Sequence, residues 1–422
     1  MRSARLTIAL CLLLMLAGVV SGQESTRGHV AWLDTNFNVW RYDAAQELRV
    51  QLTSDSADLR RYLWPTWSLD GRLAWFGHEI ADGKLVFTAW VQHEPGAPAR
   101  QVYLGAEAFN YAYWSPEDCA DDPDCRVLAL LLSSNTQGMF VELVRDAPAT
   151  VGGSVRLRGG PPFYFSWSPD GGRLLLQRNN RRFDIYDVSE DRIQATLDAT
   201  PGRIQAPQWS PVDDRLLLGV RQPDGRSALV VQDGEDSLPL AGGLAGAVAF
   251  NWSPDGRSVA WREQTTNGYG PLVVSDAASG VRLTGSLTDG VLAFVWAPNG
   301  KRIAWLEFDI PARNVSASRG SGLLAQAATS FPRLRWRLLD LESGETLASP
   351  PFLPTQEMLY YITYFDQFAQ SHRLWSPDSR QLVYGELRQG GPLVQLLDVD
   401  RMSDGPTTLA PGWIGIWDYG KS

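Results

Sequence analysis

The chain has 422 residues, of which 44 % are hydrophobic, with 17 Trp, 39 Gly, 26 Pro and a formal net charge of −9. The length would suit two or three ordinary domains, and the composition excludes a disordered chain and a coiled coil. The acidic balance argues against a nucleic acid partner, because the phosphate backbone would be repelled.

The first 22 residues have the pattern of a secretory signal peptide. Arg2 and Arg5 precede an apolar run, residues 6–20, that is too short for a bilayer span and ends near small residues suited to cleavage. An uncleaved anchor is the alternative. We therefore expect residues 1–22 to be a signal peptide and residues 23–422 to be exported, secreted or periplasmic, without a transmembrane span.

The mature chain begins with three predicted strands. They lie within residues 28–53, GHVAWLDTNFNVWRYDAAQELRVQLT, and no turn motif precedes them. Their spacing matches the second, third and fourth strands of a unit whose first strand is missing. The missing strand has to come from elsewhere in the chain.

A tryptophan-led motif then recurs seven times, as in NWSPDGRSVAW (251–261). Pro254 presets the turn, Asp255 favours its third position, and Gly256 accepts a positive φ, so the motif predicts a hairpin. The motif tryptophans are Trp67, Trp114, Trp167, Trp209, Trp252, Trp296 and Trp375. Most copies are followed by two further strands. Four antiparallel strands at this spacing are typical of propeller blades.

The repeated W-S-P-D-G signature resembles that of the TolB-like β-propeller family, over nearly the whole mature chain. The resemblance implies a propeller that works by gripping a partner, with the blade tryptophans packing between blades. In a sialidase Asp box, the Gly lies two residues after the Asp. Here Gly256 directly follows Asp255, and this departure argues against a sialidase.

Two cysteines remain after the signal peptide, Cys119 and Cys125 in EDCADDPDCR. In an oxidising compartment two thiols this close, with a proline bending the loop between them, are expected to form a disulfide. A calcium site built from the neighbouring aspartates is the alternative, although the spacing does not fit a Gly-containing calcium loop.

Two insertions interrupt the repeats, at residues 309–333 and 349–372. The first separates the second and third strands of the Trp296 blade, and the second precedes the Trp375 blade. Because strand direction alternates within a blade, both insertions should emerge on the face opposite the SPDG turns. This arrangement places them beside each other near the mouth of the central channel.

The second insertion carries aromatic residues at helical spacing, namely Tyr361, Tyr364, Phe365 and Phe368, with Thr355 as a possible cap. One interpretation is a helix docked on the propeller through this stripe. The other is a ligand or partner site at an apolar mouth. Its candidate residues are Tyr361, Tyr364, Asp366, Gln367 and His372.

The carboxyl end, APGWIGIWDYG (410–420), reads as a first strand with no blade after it. Pairing it with the strands of residues 28–53 would close the ring and remove exposed sheet edges. We therefore predict an all-β fold, a single propeller of eight four-stranded antiparallel blades, with seven as the fallback.

No catalytic motif, phosphate loop or metal-ligand spacing is found, and the chain has four histidines. We expect a monomeric, non-enzymatic binding or scaffold protein, without cofactor or metal, that recognises a protein or peptide through the insertion face. The alternative is a propeller enzyme of glycoside hydrolase or lactonase type. Carboxylates at the channel mouth would then act as its catalytic groups.

Overall fold

The computed structural model describes residues 28–147, 153–161, 163–203, 206–284, 289–309 and 332–420. Eight antiparallel sheets follow one another along the described chain and form one ring. The prediction of an eight-bladed β-propeller is confirmed, and the fallback of seven blades is excluded. The predicted signal peptide, 1–22, and nearly all of the first insertion lie outside the described residues.

The first four blades follow the predicted strand order. Blade 1 contains β1 (His29–Leu33), β2 (Val39–Asp43), β3 (Leu48–Gln51) and β31 (Ile414–Trp417). Blade 2 contains β4 (Arg60–Trp67), β5 (Leu73–Ala81), β6 (Lys84–Gln92) and β7 (Arg100–Gly105). Blade 3 contains β8 (Ala108–Cys119), β9 (Asp122–Ser134), β10 (Gly138–Asp146) and β11 (Ser154–Arg158). Blade 4 contains β12 (Phe163–Trp167), β13 (Arg173–Arg178), β14 (Arg182–Asp187) and β15 (Arg192–Thr196).

The last four blades are less regular. Blade 5 contains β16 (Gln208–Trp209), β17 (Leu216–Arg221), β18 (Ser227–Asp233) and β19 (Asp236–Leu244). Blade 6 contains β20 (Ala247–Trp252), β21 (Ser258–Thr265), β22 (Gly268–Tyr269) and β23 (Val273–Asp276). Blade 7 contains β24 (Val291–Trp296), β25 (Arg302–Phe308), β26 (Leu334–Asp340) and β27 (Thr346–Ala348). Blade 8 contains β28 (Gln381–Arg388), β29 (Gly391–Asp398) and β30 (Thr407–Pro411), with a 3-10 helix, Val399–Asp404, before β30.

The SPDG turns form through contacts within the motif itself. In blade 6, Ser253 Oγ donates to Asp255 Oδ1 at 2.6 Å and accepts the backbone N–H of Ser258 at 2.9 Å. Gly256 adopts a φ of 65°, a value that costs little without a Cβ. These turns join first and second strands throughout, so they define one side of the propeller, which we call the turn face. The opposite side is the insertion face.

Blade 1 closes the ring as predicted, because its inner strand comes from the carboxyl end. β31 pairs antiparallel with β1, and Val30 lies opposite Trp417. Trp417 occupies the position that the motif tryptophans hold in the other blades, so it is an eighth copy that the sequence motif did not reveal.

The motif tryptophans connect successive blades. In five blades, the indole Nε1 donates to the carbonyl just before the tryptophan of the preceding blade, at 3.1–3.3 Å. The pairs are Trp67 with Ile416, Trp114 with Thr66, Trp167 with Tyr113, Trp296 with Asn251, and Trp375 with Val295. The indoles therefore carry inter-blade hydrogen bonds as well as apolar packing.

Cys119 and Cys125 are disulfide-bonded across the β8–β9 hairpin, with their Cα atoms 5.3 Å apart. The nearby aspartates are engaged by arginines: Asp118 bonds Arg126 at 2.7 Å, and Asp121 bonds Arg145 at 2.6 Å. This hairpin lies on the turn face, away from the insertions.

Two short helices complete the fold, α1 (Gln356–Thr363) and α2 (Phe365–Phe368). Thr355 caps α1, because its side chain accepts the N–H of Met358. Across the described parts of the chain, no helix combines the length and the apolar character that a bilayer crossing needs.

Candidate functional site

The second insertion runs into the central channel, and we call residues 354–372 the channel plug. Pro354 forms a β-bridge with Glu386 near the end of β28, which fixes the entry at the insertion face. Thr355 Oγ1 donates to the carbonyl of Trp413 at 2.7 Å. Gly385 makes this approach possible, because a Cβ there would lie 2.1 Å from the Trp413 oxygen and 2.3 Å from Thr355 Oγ1.

The plug touches every blade of the ring. Its contacts from blade 1 to blade 8 include Trp413, Thr66, Tyr111, Phe165, Gln208, Arg262, Phe294 and Glu386. Some are direct backbone contacts: Gln367 Nε2, for example, donates to the carbonyl of Phe165 at 2.8 Å. The plug thus joins blades that are not neighbours, and it occupies the space where the ring would otherwise be open.

The structure gathers the five predicted site residues in the plug but turns four of them inward. Tyr361, Asp366, Gln367 and His372 are all buried, and only Tyr364 reaches solvent, with 40 % of its surface exposed. The expectation that their polar groups surround an open mouth is therefore corrected. Their geometry fits the alternative, in which the stripe docks the helix on the propeller. Binding through these residues stays a prediction.

The predicted continuous stripe is broken at Tyr364. This residue has a φ of −122° and a ψ of 30°, so α1 ends there and α2 starts in a new direction. Phe365 and Phe368 remain buried beyond the break, whereas Tyr364 is rotated out to the surface. Helical spacing alone does not show such a change of direction.

Asp366 lies inside the protein without a salt bridge to any described residue. Its Oδ2 accepts the backbone N–H of Ala206 at 3.0 Å. Burial raises the pKa of this carboxyl group, and the Ala206 hydrogen bond and the charge of Arg262 oppose that shift. Arg262 lies over the Phe365 ring and donates to the carbonyl of Leu292. Burial lowers the pKa of Arg262 to about 10.

His372 is the centre of a buried hydrogen-bond chain. Thr66 Oγ1 donates to the carbonyl of Trp64 at 2.9 Å, so it accepts from His372 Nε2, 3.0 Å away. The other ring nitrogen, Nδ1, then accepts from Ser371 Oγ at 2.7 Å, and Ser371 lies 2.6 Å from the Tyr111 hydroxyl. The bond to Thr66 therefore places a proton on Nε2, and the imidazole is neutral because burial disfavours a second proton. Burial lowers the pKa of His372 to about 3.

This pKa makes His372 a source of acid sensitivity. Below the ordinary value of 6.5, the unfolded chain binds a proton at His372 that the folded chain does not, so acidification favours unfolding. Between about pH 7 and about pH 5, His372 should remove roughly 2 kcal/mol from the free energy of unfolding. Urea unfolding at several pH values should therefore show a shallower pH dependence for His372→Gln than for the wild-type chain. Parallel curves would contradict the buried neutral imidazole.

The outer end of the plug exposes apolar side chains on the insertion face. Leu359, Tyr360 and Tyr364 are 42, 37 and 40 % exposed, and the two tyrosine rings lie 5.1 Å apart. We call these three residues the plug patch. Of the three, only Tyr364 is among the site residues predicted from the sequence. The exposure of Leu359 and Tyr360 could have been predicted from helical periodicity, because they lie on the helix face opposite the buried Met358 and Tyr361.

The turn face carries the other mouth of the channel. There the motif tryptophans, serines and prolines surround a cavity of about 350 Å³ whose floor is the end of the plug. Arg373, which lines this cavity, was not predicted as a site residue. The plug thus separates two different surfaces at the ring centre, an aromatic patch and a cavity.

The fold and site define a β-propeller with a plugged channel. No protein-family model and no curated protein matches the chain. Among solved structures, the C-terminal WD40 domain of Sif2 matches with a TM-score of 0.51 and 12 % identity, covering 86 % of this chain and 88 % of that one. A structure of the eukaryotic initiation factor matches with a TM-score of 0.53 and 12 % identity, covering 90 % and 84 %. These likenesses show the fold alone, and the TolB-like family stays a prediction.

Proposed function

We propose that this chain is a non-enzymatic binding propeller that recognises a protein or peptide partner through the insertion face. The observation that carries the proposal is the plug patch. Contiguous exposed apolar patches on soluble proteins mark interaction surfaces, whereas apolar residues exposed singly are ordinary. Tyrosine in particular is enriched where binding energy concentrates.

The surroundings of the plug patch support the same face. Leu59, Ile80, Phe308 and Leu387 are exposed by more than a third, and all lie at strand ends on the insertion face. The plug itself is held by all eight blades, so the patch is presented on a fixed support. A preorganised surface loses less conformational entropy when it binds a partner.

The absence of enzymatic activity is part of the proposal. Among the predicted site residues, the two groups suited to acid–base chemistry are Asp366 and His372, and both are buried. Asp366 is bonded inside the ring, and His372 lines the turn-face cavity but has both ring nitrogens engaged by Thr66 and Ser371. A general acid or base has to come within hydrogen-bond reach of its substrate. Their burial favours a structural role over catalysis.

Export is also proposed. It is supported by the signal-like residues 1–22 and by the Cys119–Cys125 pair, which suits an oxidising compartment. We propose that the mature protein acts as a monomer outside the cytoplasm, either secreted or in the cell envelope.

The proposal is tested by comparing what three immobilised proteins retain from an extracytoplasmic extract of the source cells. The three are the wild-type chain, a plug-patch variant (Leu359→Ser, Tyr360→Ser, Tyr364→Ser) and a turn-face variant (Leu48→Ser, Val212→Ser). Leu48 and Val212 are exposed by 50 and 54 %, which is comparable to the plug patch, and neither lines the cavity on the turn face. Quantitative mass spectrometry should find partners that the wild-type and turn-face proteins retain. The plug-patch variant should retain them at least about tenfold less, the loss expected when central aromatic residues are removed.

Circular dichroism of the plug-patch variant provides the folding control, because its substitutions remove exposed side chains and should leave the fold intact. If the plug-patch variant retains the same proteins as the wild-type chain, the insertion face is not the binding surface. If the turn-face variant alone loses partners, the binding surface lies on the opposite side.

A further inference from the structure

The cavity on the turn face is a built pocket and not a gap between blades. Its wall is formed by Trp-Ser-Pro triplets that three successive blades repeat, residues 167–169, 209–211 and 252–254, and by further motif tryptophans. Its floor includes Gln370, Arg373 and Tyr419. A volume of about 350 Å³ falls within the range of small-molecule sites.

The charge of the pocket is opposite to that of the protein. The chain as a whole has 47 acidic and 38 basic residues. Among the residues that line the pocket, Arg373 carries the only full charge at neutral pH, and no aspartate or glutamate is present. Several carboxylates directly neighbour lining residues in the chain without lining the pocket themselves, among them Glu117, Asp170, Asp255 and Asp418. Asp418 is bonded to His29. The lining itself therefore carries a positive charge within an acidic protein.

The guanidinium of Arg373 forms no salt bridge within the described chain, although the negative charge of Asp418 is close enough to oppose the effect of burial on its pKa. The guanidinium lies over the Tyr419 ring, 4.0 Å from the ring centre, and it makes no side-chain hydrogen bond with another described residue. Burial lowers the pKa of Arg373. One face of the planar guanidinium stacks on the Tyr419 ring, so the N–H donors along its edge remain available. Two of these donors can bind the two oxygens of a carboxylate in bidentate geometry.

A second donor in the pocket lining is unsatisfied. The side chain of Asn251 is buried, and its Oδ1 accepts from Gln208 Nε2 at 2.6 Å. Its Nδ2, however, has no partner among the described residues. Because a buried amide without a hydrogen bond is costly, an acceptor atom supplied by a ligand would stabilise it.

The position of Arg373 in the repeat singles it out. It lies two residues before the motif tryptophan of blade 8. The other blades carry uncharged residues at that position: Pro65, Ala112, Phe165, Pro207, Phe250, Phe294 and Gly415. Blade architecture therefore does not require an arginine here.

We propose that the turn-face pocket binds the carboxylate of a ligand with an apolar or aromatic body, with Arg373 as the anion receptor. The tryptophan and proline walls hold the body, and the guanidinium fork holds the two carboxylate oxygens. The carboxylate belongs either to a small organic acid or to the carboxyl terminus of a peptide. The two sources share one chemistry and are distinguished by experiment.

Isothermal titration calorimetry on the full chain tests the pocket with two matched pairs of probes. One pair is phenylacetate and phenylacetamide, and the other is the tripeptide Ala-Ala-Phe with a free or an amidated carboxyl terminus. At least one acid should bind at millimolar concentration or below, while its amide binds at least about tenfold more weakly, the factor that one lost charge-assisted bond pair produces. Binding of only the small acid, or of only the free peptide, identifies the source.

Variants then assign the binding to Arg373. Arg373→Gln keeps a polar side chain but removes the charge, and it should reproduce the loss seen with the amides. Arg257→Gln is the control, because Arg257 follows a turn on the same face and does not line the pocket. Equal binding of acids and amides, no binding of any acid at millimolar concentration, or unchanged affinity in Arg373→Gln would each overturn the proposal. The acid–amide comparison decides the question on the wild-type chain even if the variant fails to fold.

Discussion

Removal of residues 413–422 is expected to unfold the whole ring and not only one blade. Ile414, Ile416 and Trp417 are fully buried, and their strand forms the inner edge of blade 1. Without it, β1 becomes an exposed edge, and the ring is left open beside blade 8. Three buried side chains of this kind contribute, at about 2–5 kcal/mol each, as much as the entire stability of a typical domain.

The truncated chain should therefore lack a cooperative melting transition in circular dichroism and should aggregate on size-exclusion chromatography. Point variants should cause smaller losses of stability that differ with the burial of the substituted residue. Trp417→Ala should lower the free energy of unfolding by about 3–5 kcal/mol. Trp413→Ala should cost less, because Trp413 is partly exposed and packs against Phe37 near the surface. A truncated chain that stays monomeric and melts like the wild-type chain would show that closure through β31 is dispensable.

Substitution of Phe365 in the plug is expected to destabilise the propeller strongly, whereas substitution of its neighbour Tyr364 is not. Phe365 is buried, with its ring 4.8 Å from that of Phe294 and beneath the Arg262 guanidinium. Phe365→Ala should lower the free energy of unfolding by about 3–5 kcal/mol, because it leaves a cavity where the plug meets blades 6 and 7. Tyr364→Ala should change it by no more than about 0.5 kcal/mol, as is usual at exposed positions.

Urea unfolding followed by tryptophan fluorescence measures both variants, since each blade carries a motif tryptophan that reports on its packing. Because the plug contacts all eight blades, Phe365→Ala should shift one cooperative transition and should not create a second one. Equal losses in the two variants would mean that the plug is not packed as the structure has it. A separate early transition would mean that the plug unfolds independently of the ring.

The number of blades could be predicted because each repeat contains the residues that form its own turn. The Ser253–Asp255 bond and the positive φ of Gly256 involve neighbours in the chain, so the turn signal does not depend on distant residues. Closure of the ring could be predicted because residues 28–53 provide three strands of a blade and residues 410–420 provide the missing first strand. The motif does not identify Trp417 as an eighth copy, because Asp418 follows it in place of the serine that starts six of the seven turns.

The site was less predictable, because burial is a property of the assembled ring. The sequence indicated that Tyr361, Asp366, Gln367 and His372 lie close together. It did not show whether their side chains point into the ring or towards solvent, because that depends on the change of direction at Tyr364 and on the width of the channel. The sequence did distinguish Arg373, because it is charged at a position, two residues before the motif tryptophan, where the other repeats have uncharged residues. That difference becomes meaningful only when the position is known to line a cavity without carboxylates.

The sequence by itself determined the all-β class, the four-stranded repeat and the closure between the two ends, and it favoured eight blades over seven. These features follow from turns and strand patterns that act over a few residues and repeat at a fixed spacing. Only the tertiary structure decided that the second insertion fills the channel and that its polar residues face inward. It also decided that Leu359 and Tyr360 are exposed on one face, whereas Arg373 lines a cavity on the other. Those outcomes depend on contacts between residues hundreds of positions apart, and no local pattern encodes the distance between them once the ring has closed.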